Sequence, residues 1–212
     1  MKPIPVNLAV EDELSEVVIR HVVSHVKRGY AIGTAYGRNG FGYLKKTVAG
    51  WNNAAAGTPF ILLTDLDQNE CPLSLIESWL RVPRHPNLIF RVAVREVEAW
   101  LLADRTNFSR FLGVKTASMP ADVEQLPDPK AKLVSLAAKS RYSEIRQRVA
   151  PKAHSTAKIG PDYNGCLATF VTSEWDVAVA AQSAPSLLRT VRKLKDFTPV
   201  WPNPAPLQRD SQ

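Results

Sequence analysis

Hydrophobic and polar positions follow two alternating rhythms along the first hundred or so residues. Residues 5–10 (PVNLAV), Tyr30 to Tyr36, the apolar run Phe60, Ile61, Leu62 and Leu63, and Leu88 to Val94 (LIFRVAV) are short apolar stretches that predict strands. Between them the spacing changes. Leu14, Val17, Val18, Val22 and Val26 recur at three- and four-residue steps and predict a helix closed by Gly29, while Pro72 opens a helix through SLIESWLR that stops before Pro83. REVEAWLLAD continues the fourth strand into a further helix. An uninterrupted apolar run such as Phe60 to Leu63 fits a strand covered on both faces, the situation of a parallel sheet. A strand-then-helix unit that repeats four times predicts an α/β fold with a parallel, doubly wound sheet flanked by helices.

From Arg105 the pattern changes. Pro120, Pro127 and Pro129 punctuate a loop, Lys130 to Ala150 predicts one helix with a basic exposed side, and residues 157–165 (AKIGPDYNG) predict a turn. Residues 174–197 predict two short helices, and 199–212 form a proline-rich, poorly ordered tail. The expected organisation is therefore an α/β core over 1–104, a basic, mainly helical extension packed on it over 105–198, and the tail.

Charge refines this division. Residues 105–160 hold 11 Lys and Arg against 4 Asp and Glu, whereas the segments on either side are balanced, so the net charge of +7 resides in that block. A basic block beside acidic residues suits a protein that acts on a polyanion; the plainer account is a solvated helix face. Two cysteines, Cys71 and Cys166, supply neither a disulfide framework nor a zinc pattern. With no signal-like segment and no membrane-length apolar run, the expected setting is the cytoplasm, without membrane association.

The candidate chemistry follows the third strand. Asp65 and Asp67 stand at its carboxyl end, where open α/β sheets place their sites. Two carboxylates so close repel each other unless a cation lies between them, which points to a hard divalent ion such as Mg2+, with Mn2+ as a substitute. Glu11 leaves the first strand at the same edge, and Glu96 leaves the fourth. For Asp12 and Glu13 the simpler role of complementing the helix dipole suffices. His21 and His25 lie one helical turn apart but lack the glutamate and third ligand of a zinc site. The glycines at 37, 40 and 42 match no phosphate-binding pattern, although Arg38, Lys45 and Lys46 are within reach of a substrate phosphate.

A strand ending in Glu (VNLAVED), a glycine-containing βα unit and a strand ending in Asp-x-Asp (ILLTDLD) together resemble the Toprim domain shared by topoisomerases, primases and OLD-family nucleases. REVEAWLLAD resembles the RE-x-EAWLLAD segment of small bacterial Toprim-like proteins, a group often encoded beside ATPases in phage-defence settings. The likeness covers roughly the first half of the chain, and it implies a Toprim or Rossmann-like sheet in which Glu11, Asp65 and Asp67 bind Mg2+ for phosphodiester chemistry. By order along the chain it extends to Glu96, as a second metal ligand or water-orienting group, and to Lys158, as the lysine that neutralises charge on the phosphate. Asp12 stands where the family usually has glycine. The resulting expectation is a Mg2+-dependent nuclease acting on DNA or RNA. The alternative is a non-catalytic Toprim-fold subunit that senses nucleic acid within a complex containing an AAA- or ABC-type ATPase; either form is compatible with an oligomer. A third reading takes Asp-x-Asp as a phosphatase nucleophile or sugar-nucleotide metal site, but Asn69 stands where a haloacid dehalogenase-type phosphatase has Thr or Val.

Overall fold

The computed structural model describes residues 3–201. Strands β1 (Ile4–Val10), β2 (Tyr30–Gly37), β3 (Phe60–Asp65) and β4 (Leu88–Ala93) form one sheet in the order β2-β1-β3-β4, and every pairing is parallel. Helices α1 (Glu13–His25), α2 (Gly40–Ala54) and α3 (Pro72–Trp79) make the crossovers. The expected α/β architecture, a Rossmann-like parallel sheet between helices, is the one observed. All six residues of β3 are buried, which is why its first four, Phe60 to Leu63, are apolar without alternation.

The two faces of the sheet feed separate cores. Val6, Leu8, Val10, Ile61, Leu63 and Ile89 pack toward α1, while Ala9, Phe60, Leu62, Leu88, Phe90 and Val92 pack toward α2 and α3. Because the chain leaves β1 for β2 on one side and then crosses back to β3 on the other, the strand order reverses between β1 and β3. The connections after these two strands diverge above their carboxyl ends, the place where open α/β sheets put their sites.

The remaining helices are α4 (Val97–Ala103), α5 (Arg105–Leu112), α6 (Pro129–Ala137), α7 (Ser143–Val149), α8 (Tyr163–Ser173), α9 (Val177–Ser183) and α10 (Pro185–Asp196). Their buried residues belong to the same core as the α1 face of the sheet, so residues 105–198 share one interior with it. Two expectations need correction. The single helix expected from Lys130 to Ala150 is two, α6 and α7. At the break, the Arg141 N–H donates to the Gly113 carbonyl (3.2 Å) and the Tyr142 N–H to the buried Ser140 hydroxyl (2.9 Å), bonds that compete with helix continuation. The turn expected over residues 157–165 is only the entry to α8. Tyr163, Cys166, Leu167 and Phe170 follow helical spacing and are buried. Arg105 to Leu112, for which no separate element was expected within the helical extension, forms a helix capped at its start by Asp104 and closed by Gly113 at φ +65°. The two helices expected within 174–197 are α9 and α10. Most of the expected proline-rich tail, residues 202–212, lies outside the described residues. No helix among the described residues is long and apolar enough to cross a membrane.

Candidate metal centre

Glu11 is the first residue beyond β1. The turn after β2 folds back onto this point: the Arg38 N–H donates to the Val10 carbonyl (2.9 Å) and the Gly40 N–H to the Glu11 carbonyl (3.0 Å). Gly37 (φ +100°) permits that approach, because a Cβ there would meet the Val10 carbonyl oxygen. Glu11 is thereby held over β3, where its Oε1 accepts a hydrogen bond of 2.5 Å from the Thr64 hydroxyl. Burial pushes its carboxyl up to about 7; the Thr64 hydrogen bond works against this, while the charges of Asp67 and Asp12 add to it.

Asp65, the last residue of β3, is buried, and its Oδ1 accepts the Val97 N–H at the start of α4 (3.0 Å). Its carboxyl lies well above the usual range, chiefly through burial and then through the charges of Glu98 and Glu11. Asp67 is half-buried in a left-handed backbone conformation (φ +49°), and burial raises its pKa while Lys130 opposes the rise. The Asp-x-Asp loop is braced by Arg95. The Arg95 carbonyl accepts the N–H groups of Leu66 and Asp67 at 2.9 Å, and its guanidinium donates to the carbonyls of Asp67 (3.0 Å) and Asn69 (2.9 Å).

Glu96 accepts the Lys130 N–H at the start of α6 (2.8 Å), so one carboxyl oxygen anchors that helix. Burial and the neighbouring Glu98 push it up to about 7. Lys158 stands exposed on the loop between α7 and α8, and among the described residues no ion pair or hydrogen bond joins it to the acids. The cation that does reach them is Lys130, whose Nζ lies 3.4 Å from Glu98 Oε1. Its pKa is raised by Glu98, Glu96 and Asp65 against the opposing effect of burial.

Glu98 and Lys130 were not among the site residues expected from the sequence. Glu98 is 1% exposed, accepts the Tyr163 hydroxyl (2.8 Å), and carries a second carboxyl oxygen, Oε2, with no hydrogen-bond partner. The available signal was a lone charge in α4, whose seven residues are all buried. Lys130 gave no separate signal, being one of many lysines in a basic block. Asp12, as expected, caps α1 by accepting the Ser15 N–H (2.8 Å). Of the phosphate-reaching candidates, Arg38 is instead paired with Glu16. His21 packs against Trp175, with ring centroids 5.6 Å apart.

Among the described residues, no three His, Cys, Asp or Glu side chains form a preassembled metal cage. Mg2+ does not require one, since it retains several waters and is commonly held by one or two carboxylates with substrate phosphate. The donor set fits such an ion: hard carboxylate oxygens at one end of the sheet, pKa values raised by burial and mutual repulsion, and the unpartnered Oε2 of the neighbouring Glu98. Surface clefts of about 440 to 530 Å³ are lined by other residues. One of about 490 Å³ is bordered by Arg110, Lys115, Lys139 and Arg141. No protein-family model matches the chain, and neither a curated protein nor a solved structure matches it.

Proposed function

We propose that this protein is a Mg2+- or Mn2+-dependent phosphodiester hydrolase of the Toprim type, acting on DNA or RNA. The observation that carries the reading is the convergence of Glu11 and Asp65, from segments more than fifty residues apart, at the switch point of a parallel sheet, with Glu98 and Lys130 beside Asp65. Glu11, Asp65 and Asp67 hold the ion, which when bound polarises the scissile phosphate and acidifies the attacking water. Arg95 fixes the loop that presents Asp67. Glu96 orients a water or completes a second ion site only where its α6 contact leaves an oxygen free. Lys130 takes the phosphate-neutralising role first assigned to Lys158. The basic cleft at Arg110, Lys115, Lys139 and Arg141 receives the strand through salt-sensitive phosphate contacts.

The test is cleavage of plasmid and of labelled single-stranded oligonucleotides with Mg2+ or Mn2+, repeated after chelation. Cleavage should require the ion, and Asp65→Asn or Asp67→Asn should abolish it while the circular dichroism spectrum is kept. A folded Glu11→Ala/Asp67→Ala double variant that cleaves like the parent sinks the reading.

A second reading, a nucleic-acid-sensing subunit of an ATPase-containing complex, is favoured by β2. Among the described residues this strand pairs only with β1, and its eight residues carry no charge, so its outer edge suits strand addition by a partner. Under that reading the isolated chain binds nucleic acid without cutting it.

A further inference from the structure

Three arginines outside the acidic cluster meet at the open edge of β4. Arg84 precedes the strand, Arg91 lies within it and Arg189 projects from α10. With Cys71, Leu73 and Ile76 from the other side they border a cleft of about 440 Å³, whose floor includes Phe90 and Val92. Among the described residues none of the three guanidiniums has an acidic partner. Arg91 is the most constrained. Its Nε donates to the Thr190 hydroxyl (3.2 Å), and its two terminal nitrogens have no protein acceptor among the described residues. Burial, together with the charges of Arg189 and Arg84, lowers its pKa to about 10.

Three mutually repelling cations around a partly desolvated centre are unfavourable unless an anion joins them. Guanidinium forks match phosphate oxygens in geometry as well as charge. The rest of the cleft is apolar, and Arg84 is exposed at the rim, where a planar guanidinium can stack on a ring. The cleft falls within the ordinary size range of small-ligand sites. We propose that it is a nucleotide subsite, with Arg91, Arg84 and Arg189 holding the phosphate and the apolar floor receiving the base. The nucleotide is either free or the phosphorylated end of a strand. This inference does not depend on the metal-centre reading.

Cys71 provides the readout, because its thiol lines the cleft whereas Cys166 is buried. The rate at which iodoacetamide labels Cys71 in the full-length protein is measured in EDTA, which keeps the acidic cluster metal-free. Adenosine monophosphate at ten times its Kd should slow labelling roughly tenfold. Adenosine at the same concentration should not. Arg84→Ala and Arg189→Ala, both at exposed positions and therefore compatible with folding, should each weaken protection roughly tenfold in Kd. Glu11→Ala/Asp67→Ala should leave it unchanged. Protection by a 5′-phosphorylated oligonucleotide assigns the strand-end form, and protection by the mononucleotide alone assigns the free form. Protection by inorganic phosphate but by neither nucleotide form overturns the proposal, as does protection by neither, or protection undiminished in an Arg84→Ala/Arg189→Ala variant.

Discussion

Asp65 and Glu98 are both buried carboxyls whose charges repel, but their surroundings differ. Glu98 has the Lys130 ammonium and the Tyr163 hydroxyl, whereas Asp65 has a single backbone N–H on its Oδ1. Both carboxyls are raised above the usual carboxylate range, chiefly by burial, with the Lys130 charge and the Tyr163 hydroxyl opposing the rise at Glu98. Glu11 shows the same physics with a measurable consequence. Its carboxyl is raised from 4.5 to about 7 in the folded chain, so the folded state holds this proton more tightly than the unfolded state does. Its contribution to stability is complete below about pH 4.5 and is lost as pH rises through about 7, a difference on the order of 3 kcal/mol. In EDTA, Tm should fall between pH 5 and pH 8, and Glu11→Gln should flatten the decline. A Tm that rises across this range in the parent protein would show that Glu11 is not held protonated. The acids at strand ends were legible in the sequence because the unbroken apolar run Phe60 to Leu63 marks β3 and puts Asp65 at its end. Glu98 was not, because its two-residue offset from Glu96 resembles the ordinary acidity of a first helical turn.

At the scale of elements, α6 is the part that the sequence divided least accurately and on which the candidate site leans most. Pro129 opens it, Asp128 caps it by accepting the Ala131 N–H (2.7 Å), and Glu96 accepts the Lys130 N–H. These contacts fix the end from which the Lys130 side chain reaches Glu98. Asp128→Ala removes one of them and should cost about 1 kcal/mol, a fall in Tm of roughly 2 to 4 °C for a chain of this size. Thermal unfolding checks the figure, and an unchanged Tm would mean that Glu96 and Pro129 suffice to hold the start of the helix. Periodicity could not reveal the break between α6 and α7. It depends in part on the Gly113 carbonyl at the end of α5, which accepts the Arg141 N–H from a distant part of the chain. The helical spacing of Tyr163, Cys166, Leu167 and Phe170 was present in the sequence, but the Gly-Pro-Asp run before it masked the start of α8.

At the scale of the whole molecule, the acids and the basic cleft are linked by α6. Lys130 in its first turn reaches Glu98, and Lys139, just past its end, borders the cleft. At 1.5 Å per residue the two are about 13 Å apart along the helix axis, a distance that several phosphates of a strand can span. If the strand follows this line, the double variant Lys139→Ala/Arg141→Ala should weaken binding to duplex DNA. It should also reduce the slope of log Kd against log salt by nearly 2, about 0.9 for each lost phosphate contact. Fluorescence anisotropy across a salt series measures this, and an unchanged slope would place the nucleic-acid contacts on another face.

The sequence alone determined the parallel α/β sheet, because burial on both faces writes itself as apolar runs and helical spacing within a few residues of chain. For the same local reason it located the carboxylates that end the strands. Only the tertiary structure decided which charged groups meet. Lys130 rather than Lys158 reaches the acids, Glu98 joins Asp65, and Arg84, Arg91 and Arg189 gather around one cleft. Each of these meetings joins segments brought together by packing, and no local pattern records which of several similar lysines or arginines the folded chain will carry to a given place.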